Sequence, residues 1–362
     1  VNGATSHALD YDDTHFLHIG HPSVAVMPAA VATAERVGAS GAALGDALAA
    51  GLEAACRMGD WLGRSHYEAG FHQTGTSGAF GATVAAGRLL GLEAAQMTQA
   101  LGLVSTRAAG LKSQFGTMGK PLNAGFAAEV GVSCAELARA GVESNPKALD
   151  GVQGFGPTHA GEGRVAAFEG IGQTWVFPDV SYKFHACCHG LHAMLEALRE
   201  LRGRGVAADQ VEAVNVTTHP RWLAVCNQPS PTTALGAKFS YRLTAAMMLA
   251  GVDTAALESY SAETAARKDL AALRDRVMVE TDEGLTDMQA RVRVTTSDGK
   301  THEASHDLAQ GPVGAELEVR LLGKSGTLLG DAAADALWTT VRDLSRAGNL
   351  DGLARRLAGQ EG

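Results

Sequence analysis

From Pro22 to about Gly141 the sequence is a succession of Ala/Gly/Leu-rich segments, and this constrains the fold more than any other feature of the chain. ALGDALAAGLEAACRMGDWLG, SGAFGATVAAGRLLG, EAAQMTQALGLVSTRAAG and NAGFAAEVGVSCAELARAG each read as a helix. Small residues dominate their faces and let helices approach closely, which predicts a compact all-helical domain whose loops converge on a site. With 46% hydrophobic residues, the 362-residue chain can build a substantial core and has room for two or three domains. Near Val211 the pattern changes. VEAVNVTTH, DRVMVETDE and ARVRVTTSDGKTHEASH are β-branched and partly alternating, and SDGK signals a hairpin turn. FSYRLTAAMMLAG, between these strands, reads as a buried helix, and after about Pro312 helices return in DAAADALWTTVRDLSRAG and LDGLARRLAG. The expected class is mainly α with an α+β portion. A helical domain is expected over 1–190, a smaller α/β domain over 191–312, and C-terminal helices over 313–362 that rejoin the first domain.

Charge and cysteine usage exclude several functions. A net charge of −9 with no run of lysine or arginine argues against nucleic acid, because phosphate binding needs a clustered basic face. The five cysteines, Cys56, Cys134, Cys187, Cys188 and Cys226, are odd in number and irregular in spacing, and no secretory signal precedes them. A reducing cytoplasm is the expected location. No apolar run reaches the roughly 18 residues of a membrane span, so no membrane partner is expected.

The chemistry begins in NGATSHALDYDDTHFLHIGHP, residues 2–22, which holds His7, His15, His18 and His21 with Asp10, Asp12 and Asp13. Imidazoles that titrate near neutral pH beside carboxylates point to acid/base chemistry or metal binding. The plainer alternative makes the aspartates solvated and lets His21-Pro22-Ser23 open the apolar helix that follows. In GFHQTGTSGAFGA, His72 precedes a Thr/Gly/Ser turn whose backbone N–H groups suit a carboxylate or phosphate, although Thr74 or Ser77 as a helix cap explains it equally well. In SQFGTMGKPLNAG, Lys120 stands in a glycine-bearing loop before a helix, where it can reach an anion or simply be solvated.

SYKFHACCHGLHA places Lys183, His185, Cys187, Cys188, His189 and His192 within ten residues. The three histidines share a face if the segment is helical, but no CxxC or HExxH spacing is present, so no metal is expected and the thiols read as buried and structural. Lys183, at the entry of this expected helix between Tyr182 and Phe184, is an amine whose proton affinity aromatic neighbours can lower. Tyr241, heading the buried helix, offers a phenol to a ligand or fills the core.

In kind and order these motifs resemble those of the MmgE/PrpD family, whose activities include 2-methylcitrate dehydratase, cis-aconitate decarboxylase and iminodisuccinate epimerase. The resemblance rests on NGATSHALDYDDTH with HPSVAVMPAA, GFHQTGTSGAFGA, FGTMGKPLNAGFAAEVG, EGRVAAFEG, YKFHACCHGLHA and KFSYRLTAAMMLAG, and covers roughly residues 1–310. It implies a large all-helical domain, a smaller α/β lid domain, a homodimer, and a site at Asp10, Thr14, His21, His72, Lys120, Lys183 and Tyr241. Family members usually carry a further helical segment ahead of the first motif, so either the sequence is short or part of the helical core is missing. The linker HFLHIG also departs from the tryptophan-bearing pattern of the dehydratase branch.

The chemistry implied is proton transfer at a carbon next to a carboxylate, without a cofactor. His21, held by Asp10, is the expected general acid/base, with Lys183 or Tyr241 opposite. Lys120, His72 and Thr14 are the expected binding residues, and positive charge placed in advance stabilises an enolate-like intermediate. The expected enzyme is a hydro-lyase acting on a small di- or tricarboxylate, with epimerase and decarboxylase as the nearest alternatives. A metal-dependent hydrolase built on Asp10, Asp12 and Asp13, and a non-catalytic paralogue, are the alternatives from other classes.

Overall fold

The computed structural model describes residues 1–359, and the chain divides into two compact units: Val1–Tyr182 with the stretch from Ala332 onward, and Lys183–Asp331. The helix Gly314–Leu329 counts with the second unit, so the chain returns to the first at Ala332 rather than at 313. As the composition predicts, the protein is mainly helical with one four-stranded mixed sheet.

The first unit is built on α1 (Asn2–Ala8), α2 (Ser23–Val37), α3 (Gly41–Glu68), α4 (Gln73–Leu89), α5 (Ala94–Val104) and α6 (Gly119–Arg139). Helix α4 is its axis. It packs against α2, α3, α5 and α6, and almost every residue from Gln73 to Gly87 is buried. Glycines make this packing possible. A Cβ at Gly81 would lie 2.5 Å from the Gly51 carbonyl oxygen on α3, and one at Gly131 of α6 would lie 2.5 Å from the Ala82 Cβ. Around these contacts Ala25, Met58, Trp61, Leu62, Phe80, Val130 and Phe155 form a core. Each large side chain buried there contributes about 1.5–3 kcal/mol. A second cluster buries Leu350 and Leu353 against Leu44 and Ala30, docking the C-terminal helix Asp351–Leu357 on this unit.

Helix α3 bends at Gly63, whose φ of 71° a side chain would strain and whose Cβ would strike the Glu162 carboxylate. Ser65, just past the bend, gives its N–H to that carboxylate at 3.1 Å. The irregular segment 162–179 is anchored by a buried ion pair. Arg57 Nε donates to Glu53 at 2.6 Å, while its other nitrogens donate to the carbonyls of Ala167, Glu169 and Thr174 at 2.7–2.9 Å. Glu53 in turn accepts from the N–H groups of Val176 and Phe177. A buried charge needs such partners on every side, and here they fix a loop.

The second unit carries β1 (Val211–Thr218), β2 (Val277–Thr281), β3 (Gln289–Thr296) and β4 (Thr301–Asp307), in the order β2-β1-β3-β4. β1 pairs parallel with β2 and antiparallel with β3. Alternation is strict on β3: Ala290, Val292, Val294 and Thr296 are buried, while Arg291 and Arg293 face solvent. The expected turn joins β3 to β4, with Gly299 at φ 79°. The helix His192–Gly203 packs on β3 and β4 and buries Met194, Leu198 and Leu201, and the helix Tyr241–Leu249 is buried along its length except at Arg242. Among the described residues no helix is long and apolar enough to cross a membrane.

Candidate functional site

The first sixteen residues of the opening motif turn a short helix into an acid-rich bend. After α1 the chain reverses at Asp10, whose φ of 56° is left-handed, a conformation that aspartate tolerates better than most residues. The following loop returns at Ile19, a β-branched residue at φ 51°, where the strained geometry costs about 1–3 kcal/mol. Neighbouring bonds enforce it. His15 and Gly20 exchange backbone hydrogen bonds, and the His21 N–H donates to Thr74 Oγ1 at 3.0 Å. Gly20 lets the loop sit this close, since its Cβ would come within 2.9 Å of the Thr74 nitrogen. His21 is thereby seated over the start of α4, just ahead of α2.

Three imidazoles gather here. His7 lies 5.1 Å from His21 and 5.7 Å from His72, ring centre to ring centre, and stacks on the latter. Nδ1 of His7 contacts Asp12 Oδ2 at 2.8 Å, and Nδ1 of His21 lies 3.3 Å from the same oxygen and 2.5 Å from the Asp13 carbonyl. With acceptors at Nδ1, both neutral rings carry their proton there and leave Nε2 as the basic nitrogen. His72 is the opposite case. The Asn123 amide donates to its Nδ1 at 3.0 Å, so its proton sits on Nε2 and the ring is a donor. Burial first, and then the repulsion that Lys120 and any proton gained by His7 or His21 would exert, hold His72 well below the ordinary imidazole range, so it is neutral at pH 7.

Lys120 Nζ donates to Asp10 Oδ1 at 3.0 Å and stands 5.9 Å from the Phe115 ring centre. It belongs to the first turn of α6 rather than to a loop, one helical turn from Asn123. Thr14 Oγ1 lies 3.3 Å from His21 Nδ1, and its backbone pairs with Ser181. The Asp13 carboxylate accepts from the hydroxyl and N–H of Ser23, capping the entry to α2.

The structure therefore brings Asp10, Thr14, His21, His72 and Lys120 together in the first unit and corrects their pairing. Asp10 pairs with Lys120, whereas the carboxylate at His21 Nδ1 belongs to Asp12. The N–H groups expected to receive an anion after His72 are partly committed, because the His72 carbonyl accepts from Gly75 at 2.8 Å and Thr76 at 3.1 Å. His7 and Asp12 were singled out only as members of the opening cluster, without a role in the expected proton transfer, and Asn123 was not singled out at all. The signal for Asn123 was its place three residues after Lys120, on the same helix face. His15 and His18 are structural. His15 Nε2 bonds the Val176 carbonyl at 2.8 Å, and His18 Nδ1 lies 3.0 Å from the Ala55 carbonyl, with burial pushing His18 down to about 3.

Lys183 and Tyr241 lie in the second unit, and Lys183 is only 1% exposed. The segment from Tyr182 to Cys188 is not helical; the helix begins at His192 after a single turn over His189–Leu191. The imidazoles of the segment, the turn and the helix start still cluster, His189 stacking on His192 at 4.9 Å and His185 edge-on to His192 at 5.1 Å. His185 reaches Thr254 Oγ1 at 2.7 Å and Glu196 at 3.2 Å. Burial pushes the Glu196 carboxyl up, but His185 and Arg320 outweigh it and hold the group below the usual carboxylate range. The Tyr241 hydroxyl donates to the Gly190 carbonyl at 2.6 Å and meets Thr218 at 3.1 Å; the side chain is fully buried, and burial raises its pKa well above that of a free phenol. These bonds hold the Tyr241 phenol inside the second unit, its hydroxyl hydrogen already given to a backbone carbonyl. All five cysteines are buried thiols. Among the described residues no group of three or more His, Cys, Asp or Glu is arranged to hold a metal ion.

Comparison with known proteins identifies the family. Residues 1–166 match the MmgE/PrpD N-terminal domain and residues 185–324 the C-terminal domain. The chain is 32% identical over 219 residues to a cis-aconitate decarboxylase of Aspergillus terreus, covering 56% of this chain and 45% of that protein. It is 29% identical over 262 residues to the cis-aconitate decarboxylase of Homo sapiens, covering 69% and 54%, and 26% identical to that of Mus musculus, covering 99% and 78%. The chain thus spans about half the length of the first two of these relatives. Both family domains match in order across most of the chain: the protein belongs to the MmgE/PrpD family, whose members are enzymes acting on carboxylates.

Proposed function

We propose that this protein is a lyase that decarboxylates cis-aconitate or a closely similar tricarboxylate. The observation that carries the reading is the likeness to cis-aconitate decarboxylases from three organisms, which favours decarboxylation over the dehydration expected from the motifs alone. The chemistry balances with one proton. The bond from the methylene carbon to its carboxylate breaks and CO₂ leaves; the released pair forms a new double bond to the central carbon. The old π pair takes a proton at the former vinylic carbon, next to a carboxylate.

The side chains suit that step. His21, the most exposed of the three rings at 15% of its side chain, is the general acid, with Nδ1 held by Asp12 and Asp13 and Nε2 delivering the proton. Lys120, oriented by Asp10, and the Nε2–H of His72 bind carboxylates, supplying locally the attraction that a chain of net charge −9 lacks as a whole. Thr14 orients His21. Lys183 is kept as a catalytic candidate of the second unit, tested by its own variant. A homodimer belongs to the same reading, supported by the exposed Phe126, Ile171 and Trp175, and light scattering tests it. A cytoplasmic location suits five buried thiols.

Incubation with cis-aconitate, citrate, 2-methylcitrate and aspartate- or succinate-derived acids tests the function. The expected result is CO₂ release from cis-aconitate with formation of an unsaturated dicarboxylate. Loss or addition of water without CO₂ would restore the dehydratase reading. No conversion of any acid by folded protein would leave a non-catalytic paralogue.

A further inference from the structure

One buried titratable group close to the proposed acid has no part in the expected site. His7 is 2% exposed, and its Nε2 has no hydrogen-bond partner among the described residues. Its Nδ1 and that of His21 approach the same atom, Asp12 Oδ2, at 2.8 and 3.3 Å. His21 Nδ1 has the Asp13 carbonyl at 2.5 Å as its nearer acceptor and meets Asp12 at ion-pair distance, while the shorter, hydrogen-bonding contact to that oxygen belongs to His7. A cation beside a carboxylate is stabilised according to how closely it is paired. The hold of Asp12 on protonated His21 is therefore set by how much of that oxygen His7 takes.

We propose that His7 is a positioning residue for proton transfer: it competes with His21 for one oxygen of Asp12 and so keeps His21 from being held too firmly to release its proton. The inference rests on the reading of His21 as the general acid. The charged and titratable groups facing the pair are Asp10, Asp12 and Asp13 from the bend, Lys120 from α6 and His72 from the start of α4. Lys120 is engaged by Asp10, and His72 is neutral. Asp12 is thus the carboxylate that His7 and His21 share. His7 is placed for this by α1, which packs on α2 and α6; Gly3 allows the approach, since its Cβ would lie 2.9 Å from the Val24 carbonyl oxygen.

Two substitutions separate competition from mere support. His7→Ala removes the competing donor, whereas in His7→Asn the amide nitrogen takes the place of Nδ1 and keeps it. The His21 ring is followed by ¹⁵N NMR of histidine-labelled protein across pH, and kcat/KM for cis-aconitate is followed over the same range. In His7→Ala, Asp12 turns wholly to His21, so the His21 titration and the corresponding limb of the rate profile move up by about one pH unit, a tenfold change in protonation ratio. His7→Asn stays near wild type. In an Asp12→Asn background the His7→Ala shift disappears, the signature of a pairwise coupling. A folded His7→Ala protein with unmoved His21 titration would overturn the proposal, as would an equal shift in His7→Asn. If His7→Ala does not fold, a His21 titration unchanged by Asp12→Asn alone overturns it. Absence of turnover in the wild type would instead overturn the functional reading, because the NMR titration needs no substrate.

Discussion

At the scale of single residues, the site depends on which nitrogen of each ring carries the proton. Acceptors at Nδ1 of His7 and His21 make Nε2 their basic nitrogen, while the Asn123 amide at Nδ1 of His72 makes that ring a donor. Replacing His21 by alanine is expected to lower kcat at least about a hundredfold with the unfolding midpoint preserved, the usual loss for an acid/base group. The same loss is expected for Lys183→Ala, and near-wild-type turnover in either variant removes that residue from the mechanism. The residue types of this site were legible in the sequence, but the pairings were not. Asp10, Asp12 and Asp13 are chemically alike, and only the left-handed turn at Asp10 and the return at Ile19 decide that Lys120 receives one carboxylate and the histidines another.

Among elements, the helices that hold the site were the most legible, because runs of alanine and glycine at helical spacing can bury themselves only against one another. Gly81 shows how tight the fit is, with α3 backbone 2.5 Å from where its Cβ would be. Gly81→Val should therefore force α3 and α4 apart and cost about 1–3 kcal/mol or more. Gly45, exposed on α3 with nothing within 4 Å of its Cβ, gives the contrast: Gly45→Ala should stabilise by about 0.5–1 kcal/mol. Calorimetric midpoints that fall for the first and rise for the second bear this out; equal effects contradict it. The segment from Tyr182 to Cys188 shows where the sequence pattern misleads. His185 has helical spacing with His189 and His192 beyond it, but the N–H of Ala186 bonds the Thr254 carbonyl at 2.9 Å and that of Cys188 the Lys238 carbonyl at 3.0 Å. Partners fifty or more residues away take the donors a helix would have used, and no local signal announces them.

For the whole molecule, buried neutral histidines tie stability to pH. Burial pushes His18 down to about 3 and His66 down to about 4, whereas in the unfolded chain both regain the ordinary imidazole value of about 6.5. Between those limits the unfolded state binds more protons. Stability is therefore full above about pH 6.5 and falls as pH drops toward 4, by about 1.4 kcal/mol per pH unit for each histidine. Denaturant midpoints from pH 7 to 4 should show this slope, and His66→Gln should make it shallower; an unchanged slope would show that His66 is not one of its sources. The overall class was readable because β-branched alternation and alanine-rich periodicity occupy different parts of the chain, whereas the return to the first unit at Ala332 depends on docking that no local pattern encodes. The central claim is that this chain delivers a proton to carbon as CO₂ leaves. Turnover of cis-aconitate in D₂O, read by NMR, tests it most directly. The account predicts one deuterium per product, on the methylene next to a carboxylate; CO₂ release with no deuterium at that carbon would contradict it.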